Sequence, residues 1–225
     1  MNHLTMDFTN IGSRRALADA AATGQSYSIK CINQSSVPWI FYVYQTMPNQ
    51  PSQVFSTAWF ASPYMIGTGG SSITFTWNIN YCFVWGITGT VAPGVTFSAG
   101  GQIPCDPSVN NYTTFSMLNN TPSLSQAAPG PQSGSLIISE DSSIPNSIFA
   151  TGIGMSGYGT FVQQALAYTM QAYTPKPQYW IAAATQIQMG EILPQIVSMT
   201  AEFDPNGDDI TATLGQNNLW SISYK

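Results

Sequence analysis

Alternating apolar and polar side chains mark residues 73–79 as a strand with one buried face. Isoleucine, phenylalanine or tryptophan occupies every odd position, and threonine or asparagine occupies every even position between them. Successive side chains of a strand point to opposite faces of a sheet, so this period is typical of a half-buried β-strand. The pattern predicts that Ile73, Phe75, Trp77 and Ile79 lie in the core.

Similar short runs recur along the chain, separated by glycine, proline and asparagine, which favour turns. Many short strands at regular spacing are typical of an all-β fold, and we predict a single antiparallel β-sandwich, similar to a jelly roll. A long loop rich in proline, glycine and serine is predicted over residues 119–134. The predicted strands cover residues 26–33, 39–46, 54–61, 72–79, 82–87, 94–100, 112–118, 133–139, 147–155, 159–165, 178–185, 196–203, 210–215 and 219–225.

The strand predicted at residues 82–87 lacks the alternation of its neighbours. It reads CFVWGI, with apolar side chains at nearly every position. A continuous apolar run indicates a strand that is covered on both faces. We therefore expect this strand to lie in the centre of the sandwich or beneath another subunit.

The first 24 residues differ from the rest of the chain and are predicted to form an N-terminal arm. Ser13 would cap a helix over an alanine-rich stretch that ends near Gly24, so the arm is expected to be extended or partly helical. Residues 25–225 then form the β-sandwich domain. The arm residues expected to contact a neighbouring subunit are Met6, Phe8, Ile11, Arg14, Arg15 and Leu17.

Charged residues make up only 7% of the chain, where a typical soluble domain has roughly 25%. Surface charge keeps soluble proteins apart, so an uncharged polar surface gives little protection against association. This composition is typical either of a secreted-type β protein rich in serine and threonine or of a subunit that is covered by copies of itself. Composition alone leaves both interpretations open.

The net charge of −5, without a basic cluster, argues against nucleic-acid binding. No apolar run is long enough to predict a transmembrane helix, and the first residues lack the apolar segment of a secretory signal. We expect a protein that is made in the cytoplasm and either stays there or is exported by a non-classical route.

Residues suited to catalysis are scarce. The one histidine, His3, lies in the arm, so no Ser-His or Cys-His pair is expected in the β domain. Glu140 and Asp141 are expected on a turn, and neither these acids nor Glu191 has a visible partner in the sequence. We therefore expect no enzymatic activity and no cofactor.

The three cysteines, Cys31, Cys82 and Cys105, lack C-x-x-C spacing and predict neither a disulfide framework nor a zinc site. Cys31 alternates with apolar residues and is expected in the core. Cys105 lies between two prolines and is predicted on a loop. Its thiol is expected to be free, with an intersubunit disulfide as the alternative.

Two motifs suggest ligand binding but fit turns better. Asp204, Asn206 and Asp208 have the spacing of the first calcium ligands of an EF-hand loop, but the later glutamate and glycine of that loop are missing. The DPNGDD sequence is also typical of a turn, so a weak cation site is the alternative. The G-x-G-x-x-G pattern at residues 152–157 precedes a strand-like segment, which favours a tight hairpin or bulge over dinucleotide binding.

A set of longer motifs suggests a family. They are YVYQTMPN, AWF, TFTWNINYCFVWGITG and PGVTFSAG, with GIGMSGYGTFV and PQYWIAAAT later in the chain. These motifs resemble the RhiA-like proteins, a rhizosphere-expressed family of soil bacteria, over residues 26–225 and not over the arm. The resemblance implies a bacterial protein linked to host- or density-dependent expression, and it supplies no catalytic residues.

Our main hypothesis is a non-enzymatic structural subunit that assembles into a filament, tube or lattice, with its arm on a neighbouring subunit. The alternative is a lectin-like carbohydrate-binding module, because aromatic rings stack on sugars and neutral amides bind their hydroxyl groups. A membrane-active β toxin is a third possibility, suggested by the aromatic run at residues 75–90. The candidate sugar-stacking residues are Trp39, Trp59, Trp85, Trp180 and Trp220.

Overall fold

The computed structural model describes residues 3–7, 26–205 and 209–225, with the first of these ranges described by its backbone. This part of the chain is all-β and contains no helix, and hence none that would span a bilayer. Its strands are β1 (His3–Asp7), β2 (Ser26–Asn33), β3 (Ile40–Thr46), β4 (Phe55–Ser56), β5 (Phe60–Ala61), β6 (Ser71–Asn78), β7 (Tyr81–Ile87), β8 (Gly101–Pro104), β9 (Tyr112–Leu118), β10 (Thr121–Leu124), β11 (Leu136–Glu140), β12 (Phe149–Met155), β13 (Tyr158–Gln164), β14 (Met170–Tyr173), β15 (Gln178–Ala184), β16 (Thr200–Phe203), β17 (Ile210–Leu214) and β18 (Trp220–Ser223).

The all-β prediction is confirmed, but the prediction of a single sandwich is not, because the strands form four sheets. Sheet 1 has the order β1-β6-β2-β17-β18, and sheet 2 has the order β16-β15-β3-β5. Sheet 3 has the order β4-β13-β12-β7-β8, and sheet 4 has the order β10-β9-β11-β14. The pairing is also mixed, since β1 is parallel to β6, β2 to β17 and β9 to β11.

The two larger of the four hydrophobic clusters in the described part of the chain form two cores that lie between the sheets. The first core lies between sheets 1 and 2, where Phe75 and Trp77 face Phe41 and Ile181. The second core lies between sheets 3 and 4 and includes Phe83, Phe115, Leu136, Ile153 and Phe161. Strand β12 reaches both cores, because its Met155 packs in the first and its Ile153 in the second. These four sheets therefore pack as two layered pairs that share one hairpin.

The alternation that predicted β6 is confirmed over most of its length. Ile73, Phe75 and Trp77 are fully buried, and Thr74 and Thr76 are half-buried. Ile79, which the pattern placed on the buried face, is 38% exposed. The reason is that β6 ends at Asn78, so Ile79 lies in the turn that leads to β7.

The apolar run at residues 82–87 forms β7, a central strand between β12 and β8. Phe83 packs in the second core, while Cys82 and Val84 pack on the other face with Phe97 and Val162. Both faces are therefore covered by the same chain, and β7 needs no second subunit for its burial.

The glycine-rich residues 152–157 form a hairpin, as predicted. Strands β12 and β13 are antiparallel, and their turn residues Ser156 and Gly157 have φ angles of 53° and 80°. Positive φ at both positions is the geometry of a type I′ turn, which suits a two-residue hairpin. The register shifts at Ile153 and Gly154, which is the predicted bulge.

One strand prediction and part of one loop prediction were wrong, at places where tertiary contacts decide the structure. Residues 94–100 form no strand, and this segment instead inserts Phe97, which is 4% exposed, into a small cluster beside β7. The predicted loop at 119–134 contains β10, which pairs with β9. Asn119 and Asn120, both with positive φ, form the turn between these two strands. Asparagine tolerates the left-handed region, so two residues sufficed for this turn.

Candidate assembly edge and buried carboxylate

The N-terminal residues 3–7 add a strand to the edge of sheet 1. Strand β1 runs parallel to β6, with His3 opposite Ser72, Met6 opposite Phe75 and Asp7 opposite Thr76. Strand β2 pairs with the other side of β6, so β1 covers the side that would otherwise be the open edge. An arm strand that completes a sheet edge is the geometry of β-augmentation.

The covered strand is a strong template for pairing. Strand β6 is eight residues long, reads SSITFTWN and carries no charge. Natural edge strands are usually short, charged or interrupted by proline, because an open edge pairs with other chains. Strand β6 has none of these protections, and its edge is covered by β1 instead.

Strands β1 and β2 flank β6 on its two sides. The end of β1 and the start of β2 both lie near the C-terminal end of β6. Asp7, the last residue of β1, lies opposite Thr76, and Ser26, the first residue of β2, lies opposite Asn78. Two strand spacings separate such positions, about 10 Å. A chain of the length that connects them, residues 8–25, can reach about 60 Å when fully extended. The connection is therefore several times longer than its own subunit requires.

The remaining arm predictions lie outside the described residues. These are Phe8, Ile11, Arg14, Arg15 and Leu17, together with the helix predicted over residues 13–24. For Met6 the structure gives the backbone position opposite Phe75. Whether the arm contacts a neighbouring subunit remains a prediction.

The described cysteines are free thiols. Cys31 and Cys82 are buried, and Cys105 is half-buried after β8, packed against the second core. Burial is the main cause that raises the pKa of the Cys105 thiol, with the neighbouring Cys82 and Asp106 adding to it. Because disulfide exchange needs the thiolate, this environment makes Cys105 a poor partner for an intersubunit disulfide, which remains a prediction.

The candidate cation site is only partly described. Asp204 lies just after β16, whereas Asn206 and Asp208 lie outside the described residues. Residues 26–205 and 209–225 contain no group of three or more histidine, cysteine, aspartate or glutamate side chains that would hold a metal. The alternative of a weak cation site therefore stays a prediction.

An uncharged groove of about 510 Å³ opens beside β3 and β15. The rings of Tyr44 and Trp180 stack within it, with centroids 6.2 Å apart and planes inclined by 17°. The Trp180 indole donates a hydrogen bond of 2.8 Å to Thr46 Oγ1. Of the five tryptophans predicted to stack on sugars, Trp59 is fully buried, while Trp39, Trp85, Trp180 and Trp220 are half-buried.

Glu140 is not on a turn, contrary to the prediction. It is the last residue of β11 and only 2% exposed, and it has hydrogen-bond partners that come from distant parts of the chain. The Thr151 hydroxyl donates to Oε1 at 2.5 Å, and the Leu166 N–H donates to Oε2 at 3.1 Å. The Thr169 hydroxyl also donates to Oε2. Burial raises the pKa of the Glu140 carboxyl, and these donors partly oppose the rise.

The comparison with known families decides which family the fold represents. The sequence matches the RhiA family model over residues 24–225. The chain belongs to the RhiA family. It is 44% identical to Protein RhiA of Rhizobium leguminosarum bv. viciae over 207 residues, which is 91% of this chain and 89% of that protein. No solved structure matches the chain.

The RhiA assignment confirms the resemblance seen in the sequence motifs. The match begins at residue 24, so β1 precedes the region that the family model covers. The relative's name states no substrate, ligand or partner. The functional argument for this RhiA-family chain therefore rests on its own geometry.

The buried carboxylate predicts a pH dependence of stability. A raised pKa means that the folded state binds the Glu140 proton more tightly than the unfolded state does, so stability falls as pH rises from about 4.5 through the folded-state pKa. We expect the Glu140→Gln variant of this RhiA-family chain to lose that component. Urea unfolding of both proteins across this pH range measures it. The exposed Glu202→Gln is the matched control, and an equal change in both variants would contradict the prediction.

Proposed function

We propose that this RhiA-family chain is a non-enzymatic, self-assembling structural subunit in which the arm of one copy completes the β6 edge of the next. The observation that carries the proposal is the pairing of residues 3–7 with β6 through a connection far longer than that pairing needs. Residues 25–225 would act as one structural unit. This is supported by sheet 1, in which β2 and β6 pair in the same sheet as β17 and β18.

The reach of the arm allows the same pairing between two copies. A compact domain of about 200 residues has a radius of gyration of roughly 16 Å, hence a diameter near 40 Å. The connecting segment can extend to about 60 Å, so a strand that pairs with its own β6 can equally pair with the β6 of a neighbour. Exchange of an identical element between copies is a low-cost route to assembly, because the contacts already exist in the monomer.

Repetition of this contact gives an open polymer when the rotation between successive copies does not close into a ring. The arm and the β6 edge are different surfaces, so the contact is head to tail. A heterologous contact of this sort gives a ring if its rotation closes and a fibre if it does not. With 7% charged residues, little electrostatic repulsion opposes the approach of further copies.

Negative-stain electron microscopy with light scattering on the purified full chain tests the proposal. A tethered arm competes with a neighbour's arm for the same edge, so the measurement covers a rising series of protein concentrations. We expect ordered fibres, tubes or sheets at the higher concentrations. A uniform population near 24.3 kDa throughout the series would overturn the proposal.

A carbohydrate-binding module remains the second candidate, and the groove beside β3 and β15 favours it. The groove is lined by the stacked Tyr44 and Trp180 and by uncharged polar side chains, a combination that suits a sugar face and its hydroxyl groups. In this case we expect saturable quenching of tryptophan fluorescence by a glycan from a panel, and its loss in Trp180→Ala.

The control for the glycan test is Trp39→Ala. Trp39 is also half-buried, but it precedes β3, whereas the groove lies at the other end of that strand with Thr46. Its substitution should leave the quenching unchanged. Equal losses in both variants, or no quenching by any glycan, would contradict binding in this groove.

A further inference from the structure

Four side chains from three neighbouring strands meet between sheets 3 and 4. Gln171 of β14 places its amide nitrogen Nε2 2.7 Å from Thr151 Oγ1 of β12 and 2.5 Å from Glu140 Oε1 of β11. The Thr151 hydroxyl donates to the same Glu140 oxygen at 2.5 Å. The Tyr173 hydroxyl donates to the other end of the amide, Gln171 Oε1, at 2.7 Å. These hydrogen bonds connect a hydroxyl, an amide, a carboxylate and a phenol in one network.

The group is sealed from water. Glu140, Thr151, Gln171 and Tyr173 are 2%, 0%, 3% and 1% exposed. Tyr173 belongs to the second core, which also contains Phe149, Phe161 and other apolar side chains. A site without water favours reactions between the groups it contains and protects a product that water would hydrolyse.

The contacts match the parts of an acyl-transfer site. In such a site the Thr151 hydroxyl would be the nucleophile, and the Glu140 carboxylate that accepts its hydrogen bond would be the general base. The Gln171 amide is held against this hydroxyl, because its Nε2 donates a hydrogen bond of 2.7 Å to Thr151 Oγ1. The Tyr173 hydroxyl donates to the oxygen on which negative charge develops during attack, as an oxyanion-hole donor does.

The ionisation of the two acids suits these roles. Burial raises the pKa of the Glu140 carboxyl, which makes its ionised form a stronger base. Burial and the charge of Glu140 raise the pKa of the Tyr173 hydroxyl well above its ordinary value, so Tyr173 stays protonated and able to donate.

We propose that Thr151 and Gln171 react with each other to form an intramolecular ester, so that β12 and β14 become covalently joined. Thr151 Oγ1 bonds to Cδ of Gln171, and the bond from Cδ to Nε2 breaks. Glu140 takes the hydroxyl proton and passes it to the leaving nitrogen, which departs as ammonia. The carboxylate returns to its starting state, and the reaction needs no oxidant, cofactor or second substrate.

The ester would fasten sheet 3 to sheet 4, since β12 belongs to the former and β14 to the latter. Amide-to-ester exchange is unfavourable in water, but here ammonia escapes and is protonated outside, while the buried ester does not meet water. This inference is independent of assembly, because none of the four residues lies in sheet 1.

Intact-mass spectrometry of the folded, full-length protein tests the proposal. We expect a loss of about 17 Da relative to the sequence mass, which is one ammonia, and tandem spectra of a proteolytic digest should join the peptide containing Thr151 to the peptide containing Gln171. A folded protein that keeps its full sequence mass after prolonged incubation would overturn the proposal.

Substitutions separate the ester from other losses of ammonia. Thr151→Ala should retain the full mass, and Thr151→Ser, which keeps a hydroxyl, should restore the loss. Glu140→Gln and Tyr173→Phe should each slow the loss at least tenfold. Thr160→Ala is the matched control, because Thr160 is also buried but donates to the backbone oxygen of Ile153, and it should show the wild-type loss.

One competing reaction gives the same mass. The Asn206-Gly207 pair loses ammonia when it forms a succinimide, a reaction that does not involve Thr151. A loss of 17 Da that persists in Thr151→Ala, or that tandem spectra place at Asn206, would therefore overturn the ester.

Discussion

Replacing Gly152 with alanine is expected to destabilise the protein severely. A Cβ atom at this position of β12 would lie 1.9 Å from the backbone oxygen of Phe161 and 2.9 Å from Cα of Val162. Both atoms belong to the paired strand β13, so no side-chain movement relieves the clash and the strands must separate. Overpacking in a core costs roughly 3 kcal/mol, and more where backbone must move. For a chain of this size, we expect the melting temperature to fall by about 10 °C or more.

Thermal unfolding followed by circular dichroism measures this effect, with Gly67→Ala as the matched control. At Gly67 the nearest atom to an added Cβ is Ser71 Oγ at 3.4 Å, which is ordinary contact, and the backbone is not in the left-handed region. The control should therefore change stability by less than about 1 kcal/mol. Similar melting temperatures for Gly152→Ala and Gly67→Ala would show that the β12–β13 pairing is looser than described.

Deleting residues 2–24 is expected to convert assemblies into monomers of the β domain. The deletion removes the strand that covers β6 and leaves residues 25–225, nearly the whole region that matches the RhiA family, so the domain should still fold. If the arm links copies, head-to-tail growth stops. Size-exclusion chromatography with light scattering, and electron microscopy of the same sample, measure the change.

A double variant, Leu4→Pro with Thr5→Pro, tests the pairing without shortening the chain. Neighbouring N–H groups of a strand point to opposite sides, so one of the two prolines removes a hydrogen bond to β6. We expect it to abolish assembly as the deletion does, while Cys105→Ser should leave assembly intact. Unchanged assemblies after the deletion would refute the arm as the link between copies.

The strands whose structure follows from local pattern were predictable from the sequence. The alternation at residues 73–77 and the continuous apolar run of β7 reflect burial on one face and on both faces. The division into four sheets was not predictable, because it depends on pairings such as β2 with β17, which join opposite ends of the chain. Residues that pair over such a long separation carry no pattern in their own segments that identifies the partner strand.

The local sequence around Glu140 did not predict that its carboxylate is buried. Glu140 precedes Asp141, Ser142 and Ser143, and such a sequence is typical of an exposed turn. The signal that could have found it is the alternation of β11, where Leu136, Ile138 and Glu140 share one buried face. Its partners Thr151 and Gln171 come from two other strands, so only the tertiary structure brings the group together.

The parallel pairing of β2 with β17 also has a consequence for synthesis. Strand β2 is translated well before β17, and it can pair with β6 soon after its own synthesis, but the strand that covers its other side is β17, at residues 210–214. Until residues 210–214 have been made, β2 presents an open edge, and the first core lacks Ile210, Ala212 and Leu214. Sheet 1 can therefore be completed only after residues 210–214 have been translated, and the nascent chain must be kept from pairing with other copies in the meantime.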